Sequence, residues 1–102
     1  MRNESNRDER SGVKTFMVVC SFRPEVRWDD VTALVAAEQE VAKELRDQGL
    51  ISAIRVSVAR DKVFIEVSAE DKDGALAIVR RLPMAVFWDL EGYEIASPIP
   101  AQ

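Results

Sequence analysis

The 102-residue sequence contains no histidine and a single cysteine, Cys20. One thiol cannot close an internal disulfide, and without histidine the usual Cys/His spacings of a zinc site cannot be assembled. No metal and no cofactor is expected. The missing histidine also removes the side chain that most often moves protons near neutral pH, so acid/base chemistry falls to a carboxylate, a lysine, Tyr93 or Cys20. Basic charge is scarce as well. Fourteen Lys and Arg stand against eighteen Asp and Glu, a net charge of −4 that leaves no excess to neutralise phosphates. Nucleic acid is therefore not an expected partner. The apolar runs are far shorter than the roughly 20 residues that cross a bilayer, and no apolar stretch near the N-terminus resembles a secretory leader. The expectation is a cytoplasmic protein that does not associate with membranes.

What is present suits one small domain, since 47% of the residues are hydrophobic, enough for a single core at this length. Residues 1–13 begin with a charged stretch (MRNESNRDERSG) that has no large apolar residue after Met1, and are expected to be a disordered tail. The domain is expected over 14–98, with 99–102 as a short tail after the Pro98 and Pro100 punctuation. Thr15 to Phe22 (TFMVVCSF) is an apolar run rich in β-branched and aromatic residues, as expected of a central strand. Asp29 offers an N-cap to a long helix whose stripe runs through Val31, Leu34, Val35, Val41, Ala42 and Leu45 and stops at Gly49. Ile51–Val58 and Val63–Val67 alternate as strands about a polar turn at Ala59–Lys62. Ser68 to Asp71 fits a capping box before a second helical stripe through Ala75, Leu76, Val79 and Leu82, ended by Pro83. Val86–Ile95 reads as the last strand.

The order βαββαβ, with right-handed crossovers, predicts an α+β, ferredoxin-like fold: a four-stranded antiparallel sheet with two helices on one face. Both residue sets of the first strand are apolar, Phe16/Val18/Cys20/Phe22 and Met17/Val19, while the helices cover only one face. The economical cover for the other face is a second copy of the sheet, giving a homodimeric α/β barrel.

Glu38 breaks the apolar pattern. Leu34 lies four residues before it, Val41 three after and Leu45 seven after, so helical periodicity turns its carboxylate toward the sheet. Desolvation there raises a carboxyl pKa and suits it to accept and return a proton near neutral pH. The alternative is a Glu38 at the stripe's edge that reaches water or pairs with Arg55. Arg55 and Ser57 project from the opposite side to Ile54, Val56 and Val58, where they meet either a polar ligand or water. Trp28, Phe87 and Trp88 are candidates for a pocket wall or for core filling. Cys20, inside an apolar strand, reads as a core residue with no chemical role.

The run Glu38–Gly49 (EQEVAKELRDQG) resembles the long-helix motif of muconolactone delta-isomerases, and Leu82–Glu91 (LPMAVFWDLE) resembles that family's Leu-Pro turn before a last strand with Asp-hydrophobic-Glu. The likeness spans about Thr15 to Pro98. It implies a cofactor-free, ferredoxin-like dimeric barrel that also builds larger rings, with a small-molecule substrate drawn from aromatic catabolism. It further implies that Glu38 is the acid/base that moves a proton within an unsaturated lactone, and that Arg55 holds a carboxylate or the developing oxyanion. Two family features are absent. Leu50–Ile54 stands where family members carry Trp-Arg-His, and Ser97-Pro98 where they carry His-Pro, which implies a divergent member with a less polar substrate.

The function expected on this basis is a cofactor-independent isomerase acting on a small lactone or enolisable carbonyl compound. Glu38 is its catalytic residue, with Arg55, Ser57 and Trp88 as substrate-binding residues. The alternatives are a cofactor-free cyclase or monooxygenase of the same barrel fold on an aromatic or polyketide-like substrate, and a non-catalytic ligand-binding or assembly module, because one fold serves many functions.

Overall fold

The computed structural model describes residues 12–96, so nearly all of the expected tails at 1–13 and 99–102, together with Ser97 and Pro98, lie outside the described residues. The chain runs β1 (Lys14–Phe22), α1 (Trp28–Ala33), α2 (Val35–Asp47), β2 (Ile51–Val56), β3 (Lys62–Ala69), α3 (Lys72–Val79), a 3-10 turn (Pro83–Phe87) and β4 (Trp88–Ile95). The strands form one sheet in the order β2-β3-β1-β4, every neighbouring pair antiparallel. This α+β architecture is compatible with a ferredoxin-like fold.

β1 is central, as its two-sided apolar run requires. Phe16, Val18 and Cys20 face Val63, Ile65 and Val67 of β3 across the ladder, and Ala42 and Leu45 of α2 with Ala75 and Val79 of α3 close the core over them. Gly92 of β4 lies beneath α3. A Cβ there would stand 3.2 Å from Lys72 Cγ and 3.4 Å from Leu76 Cδ2, so the bare backbone is what lets the helix sit this close.

Several boundaries differ from those expected, each for a local reason. The long helix is two helices, because Leu34 adopts φ −99° and ψ 0° and its N–H turns back to the Val31 carbonyl. Asp29 is not the N-cap. The N-cap is Arg27, two residues earlier, and Asp29 and Asp30 sit in the helix's first turn, where they face its positive end. Gly49 ends α2 as expected: its φ is +78°, its N–H meets the Arg46 carbonyl, and the Leu50 N–H reaches back to Leu45. Ser68 stays in β3, its N–H bonded to the Leu50 carbonyl, and Asp71 caps α3 instead by accepting the Gly74 N–H at 2.7 Å. β2 stops at Val56, since Ser57 opens the loop to Lys62. β4 starts at Trp88 rather than Val86, because Pro83 at the first position starts a 3-10 turn that runs through Phe87.

The other face of the sheet carries no helix. The pairing register puts Met17, Val19 and Phe64 there, half-buried, beside Arg55, Glu66, Glu91 and Tyr93.

Candidate functional site

α2 crosses the helix-covered side of the sheet near β2, and a cavity of about 330 Å³ opens between them. Val35, Glu38, Gln39, Ala42 and Arg46 line it from the helix. Ile54, Val56 and Val63 line it from the sheet, Met84 from the 3-10 turn and Trp88 from the start of β4. Most of this wall is apolar, so the three polar side chains that share it decide what it can do.

Glu38 is half-buried, and its Oε1 accepts the backbone N–H of Met84 at 2.9 Å. Pro83 explains why that N–H is free: a 3-10 turn leaves its first donors without internal partners, and proline at the first position directs the next N–H outward. Burial pushes the Glu38 carboxyl above its ordinary pKa, and the Met84 hydrogen bond to the carboxylate pulls in the opposite direction. A carboxyl in this state is a usable acid and, once ionised, a stronger base than an exposed glutamate. Cys20 is fully buried in β1, and its thiol is pushed up to about 12, first by burial and then by the negative charge of Glu38. It stays a neutral core thiol, consistent with having no chemical role.

Trp88 is 4% exposed and forms the deep wall of the cavity, edge-on to Phe22 with ring centroids 5.9 Å apart. Its Nε1 is buried with no hydrogen-bond partner among the described residues. Arg23 fixes where β4 begins: its Nη1 donates to the Trp88 carbonyl at 2.9 Å, its Nη2 donates to the Val86 carbonyl, and its own N–H meets the Phe87 carbonyl. Trp28, by contrast, packs on Phe22 at 5.4 Å outside this cavity.

The structure therefore brings Glu38 and Trp88 together but not Arg55 and Ser57. Arg55 pairs with Phe64 and lies on the uncovered face of the sheet, across the full sheet from Glu38. Period-2 alternation had already put Arg55 opposite Ile54, and Ile54 faces the cavity. Ser57 is a loop staple: its hydroxyl donates to Asp61 Oδ1 at 2.8 Å and accepts the N–H groups of Asp61 and Lys62. Gln39, Arg46 and Met84 are the cavity residues that the sequence reading passed over. The first two were legible, because Val35, Gln39, Ala42 and Arg46 follow the four-three-four spacing of one helix face. Met84 was not, since a backbone donor leaves no trace in side-chain patterning.

A larger depression, about 490 Å³, lies by Leu50, Asp71 and Ile78, but Asp71 is committed to capping α3 there and no half-buried acid faces it. Chemistry rather than size singles out the Glu38 cavity. Among the described residues no group of three or more His, Cys, Asp or Glu side chains gathers to hold a metal, and no helix is long and apolar enough to cross a membrane. No family model matches the chain, and no curated protein matches it significantly.

Proposed function

We propose that the protein is a cofactor-independent isomerase that moves a proton within a small lactone or other enolisable carbonyl compound, with Glu38 as the shuttle. The observation that carries this reading is a half-buried carboxyl, raised in pKa by burial, in a largely apolar cavity and held in place by the Met84 N–H. Ionised Glu38 takes a proton from the carbon next to the carbonyl, and the electron pair delocalises into a dienolate. Protonated Glu38 then returns the proton at the far end of the conjugated system, so a C=C bond shifts with no net change in atoms or oxidation state. Charge on the dienolate oxygen needs a hydrogen-bond donor, and the Gln39 amide lines the same cavity. Trp88 supplies a flat wall against which a planar intermediate packs.

The resemblance of Glu38–Gly49 and Leu82–Glu91 to muconolactone delta-isomerases supports the same reading. In the same proposal the uncovered sheet face is closed by a second copy of the chain. The support is the half-buried strip of Met17, Val19 and Phe64 on a sheet face that no helix covers.

Deuterium uptake from heavy water into a panel of small lactones and enolisable acids, muconolactone included, tests the function by mass spectrometry. Exchange with wild type that disappears in Glu38→Gln supports it. No exchange on any panel member, or exchange that Glu38→Gln retains, overturns it.

A further inference from the structure

The rim of the cavity carries a second charged side chain, exposed and opposite in sign to Glu38. Arg46 lines the wall from the last turn of α2, in the same helical row as Val35, Gln39 and Ala42. A role limited to complementing the negative end of the helix would not require the side chain to line a cavity. Nor is the guanidinium occupied: the nearest acid along the helix, Asp47, is taken by Lys43 at 2.9 Å, and Arg46 forms no ion pair among the described residues. Lys43 itself points into solvent.

We propose that Arg46 anchors the carboxylate of the substrate, so that the cavity selects small planar monoanions and presents their far end to Glu38. The proposal deepens the isomerase reading and takes its orientation from it. Eight residues separate Glu38 from Arg46, which is about 12 Å along the axis at 1.5 Å per residue. Side chains lean toward the N-terminus of their helix, a tendency that favours the cavity side for Arg46, which is itself exposed. An axial offset of this order, in a cavity of about 330 Å³, leaves room for a short unsaturated acid. Guanidinium is the better cation for the task, because its planar fork matches both oxygens of a carboxylate. Two carboxylates near each other repel, so an anion bound here stands off from Glu38 at the Arg46 end and further favours the protonated Glu38 that returns the proton. Arg55 cannot take this part, since it lies on the other face of the sheet.

A matched pair of probes, cinnamate and cinnamamide, separates charge from shape. The chain has two tryptophans, so the indole ¹H–¹⁵N resonance of Trp88 reports binding in the cavity directly, with that of Trp28 as the control. In the full-length wild-type protein, cinnamate shifts the Trp88 resonance and binds at least tenfold more tightly than cinnamamide. Arg46→Gln lowers cinnamate affinity to that of cinnamamide and leaves cinnamamide unchanged, which also shows the cavity intact. Arg55→Gln alters neither affinity. Equal affinity of the two probes in wild type, no Trp88 shift with either, or a cinnamate preference that persists in Arg46→Gln overturns the proposal. Glu38→Gln keeps the cinnamate preference, so a failed deuterium-uptake experiment beside an intact preference removes the isomerase reading and not the anion site.

Discussion

Glu38 Oε1 accepts the Met84 N–H at 2.9 Å, a bond between residues 46 apart in sequence that ties α2 to the 3-10 turn leading into β4. One contact thus fixes the proposed proton shuttle and caps a turn, and the two roles respond differently to substitution.

Glu38→Gln keeps an oxygen that accepts from Met84 but removes the charge. Because burial raises the folded-state pKa of Glu38 above its unfolded value, the folded protein holds more protons through that window, and stability falls as pH rises across it. The difference in melting temperature between Glu38→Gln and wild type therefore grows in favour of the variant from pH 4 to pH 8. Glu38→Ala, which leaves the Met84 N–H without its acceptor, is less stable than Glu38→Gln by about 1 kcal/mol in denaturant titrations. A pH-independent difference between Glu38→Gln and wild type contradicts the assigned environment.

The four-stranded antiparallel sheet, the central β1 and the Gly49 stop were legible because each rests on a strong local signal: period-2 alternation, an uninterrupted apolar run, and a left-handed residue after a helix. The breaks were not. Leu34 is as good a helix former as its neighbours, and nothing in its identity announces that α1 and α2 part there. Ser68 and Asp71 both qualify as caps, and the ladder decided between them by keeping Ser68 in β3. The misplacement of Glu38 in an apolar stripe was readable from spacing alone. That Arg46 and not Arg55 shares its cavity depended on which face of the sheet Arg55 occupies.

At Gly49, φ is +78° and nothing lies within 4 Å of where a Cβ would stand, so space is not the constraint. Gly49→Ala loses about 1 kcal/mol of stability from the left-handed backbone alone, while Gly49→Asn loses less. Equal stabilities of wild type and Gly49→Ala in urea titrations contradict this.

Cys20 is 0% exposed and its thiol is pushed up to about 12, which leaves almost no thiolate at pH 8. Iodoacetamide labels it only when the chain opens, so the labelling rate rises with added denaturant along the unfolding transition. Labelling of the native protein at the rate of a free thiol places Cys20 somewhere other than the core.

The proposed second copy on the uncovered sheet face would make oligomeric state sensitive to Val19 and insensitive to the cavity. The proposal predicts a dimeric mass for wild type in light scattering, a monomeric mass for Val19→Lys, and no change for Arg46→Gln. A wild-type monomer at all concentrations removes the dimer from the account.

The most direct test of Glu38 as the proton shuttle needs no substrate: the ¹³C carboxyl shift of Glu38 followed from pH 3 to pH 9, assigned by comparison with Glu38→Gln. A working Glu38 gives a single step displaced upward from the ordinary glutamate value, in the direction burial drives it. A Glu38 that titrates at the ordinary glutamate value, or below it, is a carboxylate that only caps a turn, and proton transfer through it is contradicted.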